Sequence, residues 1–189
     1  MRLFVAIDLT PEIRATLAEL LGELQPLSTT VRWVKPEGMH VTLKFIGEVP
    51  EGKLEAIRTC LEQAHTAAPV EIEVRGVGFF PNAHRPRVFW VGIEATPNLA
   101  ELAAQVEIAL AALGIPREKR TLVPHLTLGR IRTTPEASSS LERLQKKIAT
   151  LAERRFGHLT ATEFYLYQSK LSPKGAEYKK LVTFPFVRA

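Results

Sequence analysis

Short apolar runs and longer stretches with helical spacing alternate along the chain. Residues 3–9 are almost entirely apolar, which is the pattern of a buried strand. Thr10 and Pro11 then supply a helix N-cap and a first-turn proline. Apolar residues follow at helical spacing, namely Ile13, Leu17, Leu20, Leu21 and Leu24, and Pro26 ends the pattern. The sequence therefore predicts a strand followed by a helix.

The same pattern recurs about 85 residues later. Residues 89–97 repeat the apolar run and the Thr-Pro pair of residues 3–11, and a second helical pattern follows as far as Gly114. His40-Val41-Thr42-Leu43 matches His125-Leu126-Thr127-Leu128, and Pro50-Glu51 matches Pro135-Glu136, each pair preceding a further helical pattern. Four matched features at a nearly constant offset indicate a duplicated unit.

Each half carries two predicted helices and several predicted strands, which favours an α+β fold. We expect two pseudo-symmetric lobes, each an antiparallel sheet backed by two helices, with the active-site cleft between them. The chain has 189 residues, too few for two independent domains of ordinary size. We therefore expect a single two-lobed domain over residues 1–189, with an internal repeat of approximately 1–85 and 86–189.

The doubled His-x-Thr motif carries the chemistry. Strand alternation places His40 with Thr42 on one face, and His125 with Thr127 likewise, while the aliphatic neighbours face the core. One imidazole can take a proton from water while the other gives one to a departing oxygen, and the hydroxyls can bind phosphate oxygens. A single histidine in an apolar strand is more often a core residue. Two copies at matched positions favour catalysis.

Cations and aromatic residues lie close to both motifs. Alternation puts Lys44 on the face of His40, although it could equally be a solvated lysine at the end of the strand, and Arg130 follows the second motif. We predict that both bind the phosphate of a substrate. Alternation turns Phe45 away from the histidines, which excludes it from the site unless a bulge intervenes. Other aromatic residues that could line the cleft are Trp33, Phe79, Phe80 and Tyr167.

Composition adds a modest preference for anions. Lys and Arg number 25 against 20 Asp and Glu, giving a net charge of +5. The single cysteine, Cys60, fits a reducing cytoplasm, and the apolar runs are too short for a membrane span. The chain has neither a metal-binding motif nor a Gly-rich phosphate loop. We therefore expect a cytoplasmic monomer without metal or other cofactor.

Several segments together resemble the two-histidine phosphoesterases, and within them the RNA 2',3'-cyclic phosphodiesterases, also called 2'-5' RNA ligases of the LigT type. The resemblance covers almost the whole chain and is carried by five segments: RLFVAI at residues 2–7, RWVKPEGMHVTLKFIG at 32–47, PRV at 86–88, PHLTLGR at 124–130 and LYQSKL at 166–171.

This resemblance implies hydrolysis of the 2',3'-cyclic phosphate at an RNA end to a 2'-phosphate, without a metal. It also implies reversible, ATP-independent 2'-5' joining of RNA ends such as tRNA halves. By analogy His40 is the proton donor and His125 the proton acceptor, with Thr42, Thr127 and Arg130 on the phosphate. Two alternatives stay open: a non-catalytic module that binds RNA or phosphate, and a related enzyme that acts on a small cyclic nucleotide.

Overall fold

The computed structural model describes residues 1–119, 121–131, 137–172 and 175–186. Pro135 and Glu136, which the sequence matches to Pro50 and Glu51, lie outside the described residues. Within the described ranges, the protein is an α+β fold with two antiparallel sheets and four α-helices, as the sequence predicts.

Nine strands and four α-helices lie within these ranges, with three short 3-10 helices between them. The strands are β1 (Arg2–Ile7), β2 (Val31–Trp33), β3 (Val41–Glu48), β4 (Val70–Phe80), β5 (Val88–Ala95), β6 (His125–Ile131), β7 (Arg155–Ala161), β8 (Glu163–Ser172) and β9 (Gly175–Pro185). The helices are α1 (Pro11–Leu24), α2 (Leu54–Leu61), α3 (Asn98–Ala111) and α4 (Ala137–Ala149). Helix α1 begins as predicted, because the Thr10 hydroxyl accepts a hydrogen bond from the Ile13 amide at 3.3 Å.

The two sheets take strands from both sequence halves. The first sheet has the order β3-β1-β8-β9, and the second has the order β2-β6-β5-β4-β7. Helix α1, which follows β1 of the first sheet, packs against β7 of the second, whereas α3 packs against β3 of the first. Exchange of elements between the halves therefore ties the two lobes together.

Most buried apolar side chains belong to one continuous core between the sheets and the helices. A second, smaller cluster lies on the other face of the first sheet and consists of Phe4, Ala6, Tyr165 and Tyr167. Within the described ranges, no helix combines the length and apolar character needed to cross a membrane.

Candidate active site

A β-bulge follows the first His-x-Thr motif. Thr42 lies opposite Ala6 of β1. Lys44, two residues later in β3, lies opposite Val5, which is adjacent to Ala6 in the antiparallel strand β1. One extra residue, Leu43, is therefore accommodated in β3. Since directly opposed residues share a face of the sheet, the bulge reverses the alternation beyond Thr42.

Lys44 consequently faces the core. Its side chain is almost fully buried, and its Nζ donates to Glu107 Oε2 at 2.8 Å and to the carbonyl oxygen of Pro116 at 2.6 Å. The prediction that Lys44 binds substrate is wrong, because simple alternation does not hold across a bulge. Lys44 is a structural residue that joins β3 to α3 and to the segment after it.

The same bulge brings Phe45 to the histidine face. Phe45 lies opposite Phe4, is 61% exposed, and its ring centroid is 6.2 Å from that of Phe4. The exclusion of Phe45 by strand alternation is therefore also wrong. An exposed aromatic ring lies close to the first motif.

His40 immediately precedes β3 and is packed among aromatic rings. Its imidazole stacks on Phe4 with centroids 4.6 Å apart and meets the edge of Tyr178 at 5.0 Å. Burial, helped by the Arg14 cation and opposed by the Asp8 carboxylate, lowers the pKa of His40 from its ordinary 6.5 to about 4. The imidazole is therefore neutral at neutral pH in the protein without substrate.

A polar network centred on Asp8 supports this histidine. Asp8 accepts a hydrogen bond from the Tyr167 hydroxyl and forms ion pairs with Lys180 at 2.8 Å and Arg14 at 3.5 Å. Arg14 also donates to the carbonyl oxygens of Pro36 and Met39 at 2.7 and 2.8 Å, which fixes the segment before His40. Burial raises the pKa of Asp8, but the hydrogen bonds and charges of Lys180, Tyr167 and Arg14 outweigh it, and the net effect lowers this pKa.

The second motif begins with a histidine of defined orientation. His125 Nδ1 lies 2.8 Å from the carbonyl oxygen of Val123. Because a carbonyl can only accept, this nitrogen carries the proton and Nε2 of the neutral ring is left as a proton acceptor. The ring also meets Phe80 edge-on at 5.0 Å.

A matching bulge follows this motif. Thr127 lies opposite Trp90, whereas Arg130 lies opposite Val88, so Leu128 is the extra residue in β6. Arg130 is therefore on the face of Thr127, and its side chain is exposed. The repeat offset of 85 relates Phe45 to Arg130, so one sheet presents an aromatic ring where the other presents a cation.

The strands that carry the two motifs, β3 and β6, contact each other. The Val34 amide, just after β2, donates to the Leu128 carbonyl at 2.8 Å. Each sheet thus carries one imidazole and one hydroxyl on or beside a strand that contacts the other sheet. Among the described residues, no group of three or more His, Cys, Asp or Glu side chains is placed to hold a metal ion.

The aromatic candidates divide between the core and the site. Trp33 and Phe79 pack against Phe89 of the core, whereas Phe80 lies beside His125, and Tyr167 stacks near His40 inside its buried cluster.

Sequence reasoning missed Trp90, whose ring packs beside Phe80 with centroids 5.1 Å apart. The Trp90 ring lies across Gly78, where an added Cβ would approach it to 2.4 Å, so a glycine is required there. A glycine directly across the ladder from an aromatic residue is the signal that could have identified this arrangement.

Comparisons with known proteins agree with this architecture. The family model described as LigT like phosphoesterase matches twice in succession, at residues 7–90 and 91–178. A protein of Archaeoglobus fulgidus named RNA 2',3'-cyclic phosphodiesterase is 40% identical, covering 97% of this chain and 99% of the relative. A protein of Thermotoga maritima with the same name is 34% identical, covering 98% of this chain and 96% of the relative.

Solved structures show the same fold. A crystal structure of a Thermus thermophilus protein has a TM-score of 0.78 at 30% identity and covers 98% of both chains. The crystal structure of E. coli LigT complexed with 3'-AMP has a TM-score of 0.76 at 26% identity and covers 99% of this chain and 98% of that chain. The chain therefore belongs to the LigT-like phosphoesterase family.

Proposed function

We propose that the protein hydrolyses the 2',3'-cyclic phosphate at the end of an RNA to a 2'-phosphomonoester, without a metal ion. The observation that carries this proposal is the contact between β3 and β6, since one His-x-Thr pair belongs to or adjoins each of these strands. The name of the relatives from Archaeoglobus fulgidus and Thermotoga maritima supports the choice of substrate.

In the proposed reaction, His125 acts as the base. Nε2 of its neutral ring takes a proton from water, and the water oxygen forms a bond to phosphorus. The hydrogen bond from Nδ1 to Val123 keeps the ring in the tautomer that this step needs. The bond from phosphorus to the ribose 3' oxygen breaks at the same time, which leaves the phosphate on the 2' oxygen.

His40 acts as the acid and gives its proton to the departing 3' oxygen. Since its pKa is about 4 without substrate, His40 must take up a proton when the anionic phosphate binds. A nearby negative charge favours the protonated imidazole, and binding is therefore coupled to proton uptake. The imidazolium formed in this way can then give its proton to the departing 3' oxygen.

Thr42, Thr127 and Arg130 bind the nonbridging oxygens of the phosphate. The hydroxyls donate hydrogen bonds, and the guanidinium of Arg130 offers two donors in a planar fork that matches two phosphate oxygens. These contacts stabilise the negative charge that grows while the fifth bond to phosphorus forms. Phe45 provides an exposed ring on which the terminal base can stack.

The same groups can join two RNA ends. If the 5' hydroxyl of a second RNA replaces water, the same bond breaks and a 2'-5' phosphodiester forms without ATP. Halves of a cleaved tRNA, one with a cyclic phosphate and one with a 5' hydroxyl, have the required ends. Monomeric state and cytoplasmic location remain predictions from the sequence.

A short RNA ending in a 2',3'-cyclic phosphate tests the proposal. We expect conversion to the 2'-phosphate, identified against synthetic 2'- and 3'-phosphate standards, at the same rate with and without EDTA. A double variant His40→Ala with His125→Ala, purified in parallel, controls for contaminating nuclease.

Three outcomes would contradict the proposal. Binding of the RNA without conversion would support the binding module, and loss of activity in EDTA would indicate metal catalysis. Turnover restricted to a mononucleoside cyclic phosphate would support the small-nucleotide alternative.

A further inference from the structure

We propose that Arg32 binds the phosphate that precedes the terminal nucleoside of the RNA, and so makes the enzyme prefer a polynucleotide end to a mononucleotide. This inference rests on the proposed function. The observation behind it is the position of Arg32 on β2, the outermost strand of the second sheet beside β6.

The strand register places Arg32 beside the candidate site. Arg32 lies directly opposite Arg130, and Arg130 lies opposite Val88 and, one strand further, Phe80. Directly opposed residues share a face, so Arg32 is on the face of Arg130 and of Phe80, the ring beside His125. On the other side of β2, Val31 is buried and Trp33 packs against Phe89 of the core.

Two like charges that face each other across adjacent strands are unfavourable unless an anion lies between them or beside them. Both arginine side chains are exposed. Among the described residues, no carboxylate lies within ion-pair distance of either one.

Other arginines of the same sheet do have partners. Arg75 forms ion pairs with Glu94 and Glu153, and Arg155 forms one with Glu73. The absence of an internal partner among the described residues thus singles out the pair of Arg32 and Arg130.

An RNA end carries two phosphates near its terminal nucleoside, one for each of the two arginines. A mononucleoside cyclic phosphate has one phosphate, whereas an RNA end has a second one at the 5' oxygen of its terminal nucleoside. Arg130 is the closer of the two arginines to Thr127 along β6, and Arg32 lies about one strand spacing, ~4.8 Å, farther out. Arg130 therefore binds the reacting phosphate and Arg32 the next phosphate along the chain. A contact to the backbone alone discriminates by length and not by base.

The test compares three substrates. They are a mononucleoside 2',3'-cyclic phosphate, a dinucleotide with the same cyclic end, and that dinucleotide with an uncharged methylphosphonate linkage. In Arg32→Gln, we expect KM to rise about tenfold for the charged dinucleotide only, which is the low end for a hydrogen bond between charged groups. Values of kcat should not change. Arg143→Gln, which removes an exposed charge of α4, should leave all three KM values unchanged.

The outcomes separate this inference from the proposed function. Equal increases in KM for all three substrates would place Arg32 on the reacting phosphate or the nucleoside, and unchanged KM values would remove it from the site; either result overturns the inference. Turnover of the mononucleoside at the wild-type rate shows that the variant is folded. If the wild type leaves all three substrates intact, the proposed function itself fails.

Discussion

Replacement of Lys44 by methionine should destabilise the protein and leave its activity intact. The ammonium group lies 2.8 Å from Glu107 and 2.6 Å from the Pro116 carbonyl, and the Lys44 side chain is only 2% exposed. Methionine keeps the apolar stem but leaves the carboxylate of Glu107, itself 14% exposed, without its cation.

Removal of one partner of a buried ion pair typically costs 3–5 kcal/mol, and we expect about 3 kcal/mol here because Glu107 also accepts from the Glu118 amide. For a chain of this length, that loss corresponds to a decrease in Tm of about 6–12 °C. Glutamine at position 107 can donate to the Pro116 carbonyl and accept from the Glu118 amide. The double variant Lys44→Met with Glu107→Gln should therefore recover about 2 kcal/mol of this loss.

The assay is urea unfolding of the wild type, both single variants and the double variant, together with kcat/KM for a cyclic-phosphate RNA at a temperature where all four are folded. Lys44→Met should keep kcat/KM within about twofold of wild type, since removal of a contact distant from the transition state leaves its stabilisation unchanged. A variant of unchanged stability with a kcat/KM more than tenfold lower would refute the reasoning, because Lys44 would then have to reach the substrate.

Three further predictions concern the histidine face. As the pH falls from 6.5 to 4, the free energy of unfolding of the wild type should decrease by about 3 kcal/mol more than that of His40→Gln. The reason is that His40 takes up a proton at a higher pH in the unfolded chain than in the folded protein. Parallel profiles of stability against pH would contradict the low pKa of His40. A second test uses a cyclic substrate with sulfur in place of the 3' oxygen, because a thiolate departs without needing a proton. This substrate should restore most of the turnover of His40→Gln but not of His125→Gln. The opposite pattern would show that His125 is the acid and His40 the base. Phe45→Ala should raise KM for RNA about tenfold with kcat unchanged, while Phe45→Trp keeps wild-type KM, because base stacking contributes 1–3 kcal/mol; equal KM values for all three proteins would remove Phe45 from the substrate site.

The spacing of apolar residues along the sequence was sufficient to predict several features of the fold. The first helix, its Thr10 cap and the presence of two antiparallel sheets follow from residue spacing alone. The His-x-Thr pairs were recognisable because both the imidazole and the hydroxyl recur at one offset.

Lys44 and Phe45 show where prediction from strand alternation fails. A bulge adds one residue to a strand and leaves no mark in the apolar pattern, yet it exchanges the faces of every side chain beyond it. The faces of both residues were therefore predicted in reverse. Arg130 lies on the face of Thr127 for the same reason, since an unbulged strand would turn it away.

Contacts between distant parts of the chain were also inaccessible from spacing. The network of Asp8 with Tyr167 and Lys180 joins residues about 160 to 170 positions apart, and its geometry exists only once β8 pairs with β1 and β9. The placement of β2 in the second sheet, which brings Arg32 opposite Arg130, likewise depends on tertiary pairing. No local pattern encodes either feature.

Turnover of a cyclic-phosphate RNA by His40→Gln and His125→Gln, each beside His65→Gln as an exposed-histidine control, tests the paired-histidine mechanism most directly. We expect each active-site variant to bind the RNA but to lose kcat by at least about 100-fold, the usual contribution of one proton transfer, while His65→Gln matches wild type. Wild-type kcat in either His40→Gln or His125→Gln would contradict the paired-histidine mechanism.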